Sequence, residues 1–118
     1  MAEPTSWRPE VVLDVEVRGG SVVLVLENTG TACAYRPRVR FDPEVVGLGG
    51  ELAVSKLRIW TSLAVLRPGR AVEVLLGSVA DTDQRFTAQI DYADVDGRSY
   101  AVTLGHDLRV YHELPQPF

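Results

Sequence analysis

The sequence VVLDVEVRGGSVVLVLENTG, residues 11–30, predicts a β-hairpin and decides the fold. From Val11 to Arg18 apolar and charged residues alternate, which is typical of a strand with one buried and one exposed face. Gly19-Gly20 predicts a tight turn, because glycine readily adopts the positive φ values that such turns need. The run Val22–Leu26 is apolar on both faces. It therefore indicates a strand in the centre of its sheet, or one whose outer face is covered.

The same pattern of short apolar runs and turn residues continues along the chain and predicts an all-β fold. Further strands are predicted at residues 36–41, 57–66, 71–76, 86–92, 100–104 and 108–112. Residues 42–56 form a long connection, and only residues 51–60 leave room for a turn or two of helix. We therefore expect an immunoglobulin-like antiparallel β-sandwich of seven to nine strands. Residues 1–9 are expected to be a flexible leader, 10–112 the sandwich domain and 113–118 a Pro-rich tail.

Length and charge narrow the class of protein. With 118 residues the chain is expected to form one domain with a core of its own. A formal net charge of −4 argues against nonspecific binding to nucleic acid, which needs surplus Lys and Arg. No apolar run approaches the roughly 20 residues that span a bilayer, and the polar N-terminus is not a signal peptide. One cysteine fits a cytoplasmic protein, or an extracellular one if the chain is an excised domain. No cofactor is expected.

Three turn motifs carry a resemblance to a known group of domains. They are Asn-x-Gly before an outgoing strand, Leu-x-Pro-Gly, and a Tyr-x-Asp-x-x-Gly-x-x-Tyr hairpin. Their residues here are Asn28, Gly30, Ala34, Val39, Leu66, Pro68, Gly69, Tyr92, Asp94, Gly97 and Tyr100. Over residues 10–112 the chain resembles bacterial immunoglobulin-like and fibronectin type III-like sandwiches, especially the CARDB-type modules. The resemblance implies a spacer or interaction domain of a larger protein.

Three aspartates lie close together near the end of the sixth predicted strand. Asp91, Asp94 and Asp96 precede Gly97, and oxygen ligands on a flexible loop are what Ca²⁺ prefers. The EF-hand spacing is missing, however, and Asp-x-Asp-Gly is also a common hairpin turn. We favour the turn and keep a metal site as the alternative.

Three arginines alternate along the third predicted strand. With a period of two residues, Arg36, Arg38 and Arg40 share one face and could bind a phosphate, a carboxylate or an acidic partner. The alternative, which we favour, is an exposed face with ion pairs to Asp14, Glu16 or Asp91 on neighbouring strands.

Cys33 with His106 or His112 is the one conceivable pairing of a nucleophile and a base. Cys33 lies between two alanines and outside any Cys-x-x-Cys motif, which is typical of a packing residue. The two histidines lack the spacing of zinc ligands. We therefore expect no enzyme activity.

A small sandwich offers fewer inward positions than this chain has large apolar residues. The surplus residues are Val23, Val25, Trp60, Leu63 and Leu75. Either the 42–56 connection covers them or a partner does.

We expect a noncatalytic interaction module, either a structural subunit or a homo-oligomer. Its expected contacts are Trp60, Val23 and Val25 together with the arginine row. On this interpretation Trp60→Ala combined with Val25→Asp leaves the fold intact. The alternative function is a small-ligand or calcium-binding module that uses the aspartate hairpin or the arginines.

Overall fold

A computed structural model of the chain describes residues 7–113 and forms seven β-strands there. The strands are β1 (Val11–Arg18), β2 (Ser21–Asn28), β3 (Ala34–Asp42), β4 (Val65–Leu66), β5 (Ala71–Ser78), β6 (Arg85–Ala93) and β7 (Ser99–Asp107). One short α-helix, α1, spans Ile59–Ser62. Short 3-10 helices lie at Leu48–Gly50, Val54–Lys56, Val79–Asp81 and Leu108–Glu113. None of the helices in residues 7–113 is long and apolar enough to cross a bilayer.

The strands form two antiparallel sheets, which confirms the predicted all-β sandwich. The small sheet has the order β1-β2-β5, and the large sheet has the order β4-β3-β6-β7. The chain changes sheet after β2, β4 and β5. A constant-type immunoglobulin domain has its fourth strand in the first sheet, whereas here β4 pairs with β3.

The core lies between the inner faces of the two sheets. Alternate residues of β1 and β2 face it, and the pairs Leu13↔Leu26 and Val15↔Leu24 are buried. From the large sheet Phe86, Ala88, Ile90 and Tyr92 point inward. The two-residue period of the sequence therefore separates the buried from the exposed face, as the hairpin at residues 11–30 predicts.

Two predicted strands are wrong. Residues 57–66 contain α1, and only the two-residue strand β4 remains of the predicted strand. Residues 108–112 belong to a 3-10 helix. In both segments helical turns direct an apolar side chain, Trp60 or Leu108, into the core.

Asn28 joins the ends of both sheets through its side chain. It is fully buried, and its Oδ1 accepts from the N–H groups of Glu10 (3.1 Å) and Gly30 (2.9 Å). Its Nδ2 donates to Ala32 O (2.8 Å) and Leu66 O (2.9 Å). All four hydrogen-bonding positions of the amide are therefore used, which removes the cost of burying it.

The two ends of the chain lie partly outside the described residues. Of the predicted leader, residues 1–6 are outside them, as are residues 114–118 of the predicted tail. Residues 8–10 pack against the turn after β2, where Thr31 N donates to Arg8 O at 2.9 Å. A Cβ at Gly30 would come within 2.4 Å of Arg8 O, so only glycine fits this close approach.

Candidate interaction surface on the large sheet

The aspartate hairpin is held together by one of its own carboxylates. Asp94 Oδ1 accepts from the N–H groups of Asp96 and Arg98, both at 2.9 Å. Its Oδ2 accepts from the hydroxyl of Tyr100, also at 2.9 Å. The favoured interpretation as turn chemistry therefore agrees with the contacts, because this carboxylate already binds the backbone of its own turn.

These contacts set the ionisation of the hairpin. Partial burial raises the pKa of Asp94, but the hydrogen bonds from Arg98, Tyr100 and Asp96 outweigh it and lower the pKa below 3.8. The pKa of Tyr100 is raised by desolvation first and then by its bond to Asp94. Both shifts favour the charged carboxylate and the neutral phenol that the hairpin needs.

The three aspartates of the alternative metal site do not lie together. Asp91 lies on the outer side of β6, opposite Arg38 of β3, and its carboxylate is 3.8 Å from Arg40 Nη2. Asp96 is exposed on the turn. Residues 7–113 contain no group of three or more Asp, Glu, His or Cys side chains that could hold a metal ion. The three aspartates are close in sequence, but Asp91 lies in strand β6 and Asp96 in the turn that follows it.

The three arginines do not act as one row. The pairing of β3 with β6 shifts register between Tyr35 and Arg38, and Arg36 has a φ of 50°. Arg38 Nη1 donates to Pro37 O (3.0 Å) and Leu63 O (3.1 Å), so its guanidinium secures the connection before β4. Arg40 is exposed beside Asp91, as the ion-pair alternative expected.

Trp60 is a core residue, and its interpretation as a surface contact is wrong. Its side chain is fully buried, and the indole Nε1 donates to Val54 O at 2.7 Å. Its ring packs edge-on against Phe41, with the centroids 5.1 Å apart. The 42–56 connection, which contains Val54, therefore covers Trp60. This is the first of the two alternatives for the surplus apolar residues, coverage by the connection and not by a partner.

Val23 and Val25 are also buried, although they lie on the outer side of β2. They are covered from their own sheet. Arg18 of β1 reaches across β2 to Glu73 of β5, with Nη1–Oε1 at 2.8 Å and Nη2–Oε2 at 2.7 Å. This path crosses Val23, because Glu73 pairs with Val25 and Arg18 with Ser21. The aliphatic part of a long arginine side chain can cover apolar surface in this way.

We call the outer side of the small sheet the closed face. Its Arg18 bridge, made of Arg18, Glu73 and Glu16, has a third short contact of Arg18 Nη2 to Glu16 Oε1 at 2.6 Å. The hydrogen bonds to Glu73 and then Glu16 raise the pKa of Arg18, and the same bond to Arg18 lowers the pKa of Glu73. The bridge therefore stays charged around neutral pH and keeps its geometry.

The proposed nucleophile and bases lie far apart. Cys33 precedes β3, whose Tyr35 is level with Ser99 at the start of β7. His106 lies seven residues further along β7, which corresponds to roughly 23 Å. Both histidines bond to backbone, His106 Nε2 to Leu13 O at 2.9 Å and His112 Nε2 to Thr82 O at 2.8 Å.

We call the outer side of the large sheet the open face. Beside the free edge this face carries uncharged and mostly small side chains, whereas Arg38, Arg40 and Asp91 lie further in on β3 and β6. The uncharged residues are Thr87 and Gln89 of β6 and Ala101, Thr103 and Gly105 of β7. Shallow depressions of about 350, 430 and 610 Å³ lie along this face. Small side chains leave the backbone of β7 accessible from outside.

The free edge of β7 is the other unusual feature of the large sheet. Asp94 N donates to Arg98 O, and Leu108 N donates to Gln84 O, in the same register as the β6–β7 pairs. Hydrogen-bonded pairs alternate along an antiparallel ladder, so the N–H and C=O groups of the even-numbered residues of β7 point to β6. The N–H and C=O groups of the odd-numbered residues 99–107 therefore point to the free edge. Within residues 7–113 these groups make no backbone–backbone hydrogen bond.

The other three edges are protected. In β1 the Leu13 carbonyl binds His106, and Val15 N donates to Asp14 Oδ1 at 2.8 Å. Strand β4 has only two residues, and β5 carries Glu73 and a register shift against β2. By contrast, β7 has nine residues, no proline and no register shift, and its one Asp or Glu is the last residue, Asp107. Natural sheets protect long edges with prolines, charged side chains or bulges, which β7 lacks before Asp107.

One family model matches nearly the whole chain. It is described as a domain of unknown function (DUF8453) and covers residues 2–112. The chain belongs to the DUF8453 family. No curated protein and no solved structure matches the sequence of this DUF8453 domain.

The DUF8453 domain also has a concavity that sequence reasoning missed. Residues 46–50, 76–78 and 81–84 line about 440 Å³, and the Gln84 side chain there accepts from Val46 N (3.1 Å) and donates to Val46 O (2.6 Å). The signal was the run Gly47-Leu48-Gly49-Gly50, which we interpreted only as a connection. Its named lining residues include Asp81 and Asp83, and the Asp81 carboxylate accepts from the Ser78 hydroxyl at 3.0 Å.

Proposed function

We propose that the DUF8453 domain is a noncatalytic protein-interaction module that binds through the open face and the free edge of its large sheet. The observation that carries this proposal is β7, a nine-residue edge strand without the usual protection. An exposed edge offers a row of backbone donors and acceptors to an added strand, which is a recurrent mode of protein recognition.

The difference between the two outer faces supports the same surface. On the closed face, charged side chains cover Val23 and Val25 and use their own charges in pairing. On the part of the open face next to the free edge, away from Arg40 and Asp91, the residues Thr87, Thr103 and Gly105 are exposed and uncharged. Burying such residues against a partner carries a much smaller desolvation cost than burying an ion pair.

Separate observations support the absence of catalysis and the cytoplasmic location that we propose. That the domain is noncatalytic is supported by the separation of Cys33 from His106, and by the backbone contacts that occupy both histidines. A cytoplasmic location is supported by the lone cysteine, which suits a reducing compartment. A calcium or small-ligand function has no comparable observation in its favour, because Asp94 and Arg38 are used within the fold.

Photo-crosslinking in the native host cell tests the surface. A benzophenone side chain is placed at Thr87 on the open face or, as the matched control, at Ala71 on the closed face. Both positions are exposed strand residues. We expect an adduct of defined mass from position 87 and none from position 71. Adducts from both positions, from position 71 alone or from neither would contradict the proposal.

A further inference from the structure

We propose that the partner of the β7 edge is β7 of a second copy of this chain. The two strands pair antiparallel about a two-fold axis at Thr103, so that two four-stranded sheets become one continuous sheet. This inference rests on the proposed function, whose surface it uses, and adds the identity of the partner.

The register follows from the backbone groups at the edge. The residues whose N–H and C=O groups point outward are the odd-numbered ones from Ser99 to Asp107. Centring the pair on Thr103 places Thr103 opposite its own copy, Ala101 opposite Gly105, and Ser99 opposite Asp107. Every one of these is an odd-to-odd pair, so all nine residues can join a regular ladder of about ten hydrogen bonds.

The inward side of β7 supports a second copy as the occupant. Val102 and Leu104 pack against the core but remain only half-buried in the single chain. In the proposed register Val102 of one copy lies opposite Leu104 of the other, and Tyr100 lies opposite His106. The pairing therefore covers apolar side chains with apolar side chains and continues the core across the new junction.

Gly105 leaves one position of the β7 edge without a side chain. Its φ lies outside the positive range, and a Cβ built on it would meet nothing within 4 Å. Neither turn geometry nor packing within the chain therefore requires glycine here. Glycine inside a strand weakens it, and its presence often marks a place where another backbone comes close.

The charges along β7 permit two copies to meet. The chain carries a formal net charge of −4, so two copies repel each other at long range. Residues 99–106, however, contain no Asp, Glu, Lys or Arg. The central residues of the proposed ladder therefore place no like charges opposite each other.

Sedimentation equilibrium of the full chain with two lysine variants tests the pairing. Thr103→Lys places two like charges at the two-fold axis, whereas Ala71→Lys adds the same charge to an exposed strand residue of the closed face. For the wild type and Ala71→Lys we expect the mass to rise with concentration from 13.0 kDa towards twice that value. For Thr103→Lys we expect at least a tenfold weaker association. A wild type that stays monomeric, or equal association of both variants, would overturn the inference.

A cysteine at the axis gives a second readout that does not depend on the lysine variant. Directly opposed residues of a hydrogen-bonded pair have Cα atoms about 5.5 Å apart, a distance that a disulfide can bridge. In a Cys33→Ser background, Thr103→Cys should form a covalent dimer with oxidised glutathione, and Thr87→Cys should not. Absence of the Thr103→Cys dimer, or equal yields from the two variants, would count against the register.

The two proposals fail separately. If the wild type is monomeric but position 87 still gives a crosslink to another protein, the open face is an interaction surface and its partner is not a second copy. If the wild type is monomeric and position 87 gives no crosslink, both proposals are wrong.

Discussion

The outer faces of the two sheets show two ways of treating an exposed sheet surface. The closed face has the larger apolar residues, Val23 and Val25, yet they are buried beneath the Arg18 bridge. The open face has small uncharged residues next to the edge of β7, charged residues on β3 and β6, and leaves the edge of β7 free. The proposed interaction surface therefore does not follow from apolar content. The proposal follows from the face and the edge that the chain leaves uncovered.

Trp60 lies on the inner side of the large sheet. Trp60→Ala tests this position and has the largest effect that we expect. Removing a fully buried indole leaves a cavity and takes one of its two hydrogen bonds from the Val54 carbonyl, which keeps the bond from Leu57 N, so we expect a loss of about 3–5 kcal/mol in the free energy of unfolding. Urea denaturation measures it.

The matched control is Trp7→Ala, because Trp7 is 68% exposed. We expect that substitution to leave the unfolding midpoint nearly unchanged. If the two variants are equally stable, Trp60 is not the core residue described here, and the combined Trp60→Ala and Val25→Asp variant would leave the fold intact, as the sequence suggested.

Val25→Asp tests whether the closed face is in fact closed. Val25 is 2% exposed and lies opposite Asp14 and Glu73, so a new carboxylate there is buried without a cation of its own. We expect a loss of about 3 kcal/mol in the free energy of unfolding. Leu75→Asp is the control, since Leu75 lies on the same face but is 49% exposed. A tolerated Val25→Asp would mean that the Arg18 bridge opens freely.

Acid unfolding tests the ion pair of Asp107, the last residue of β7. Two side-chain hydrogen bonds from Arg109 lower the pKa of Asp107 from 3.8 to about 2. Because the pKa is lower in the folded chain than in the unfolded one, the carboxylate stabilises the fold fully above about pH 4. This contribution is lost as the pH falls towards 2.

The measurement is thermal unfolding of the wild type and Asp107→Asn between pH 5 and pH 2. We expect the stability difference between the two proteins to narrow steadily over this range. Arg109→Ala should reproduce most of the effect, because it removes the group that lowers the pKa. A difference that grows on acidification would contradict the assignment.

The sequence was sufficient where a pattern depends on neighbouring residues. The alternation from Val11 to Arg18 and the turn at Gly19-Gly20 predicted the β1–β2 hairpin almost residue by residue. Asp94 was correctly favoured as a turn residue, because its partners Asp96 and Arg98 lie within four positions of it. The apolar spacing around Trp60 and Leu108, by contrast, fits a strand as well as a helical turn.

The proposed interaction surface depends on strand pairing, which no local sequence pattern predicts. Arg18 and Glu73 are 55 positions apart, and they meet only because β5 pairs with β2. The free edge of β7 exists only because β7 is last in the strand order of its sheet. The interruption that separates Arg36 from Arg38 is a register shift between β3 and β6, which the regular spacing of the arginines conceals.

Residue-resolved hydrogen exchange of β7 at two protein concentrations tests the central claim most directly. The amides of Val102 and Leu104 face β6 and should be protected at both concentrations. Those of Ala101, Thr103 and Gly105 should exchange rapidly in dilute solution and become protected at high concentration. Protection of these three amides in dilute solution, or rapid exchange at both concentrations, would contradict an open edge that closes on a second copy.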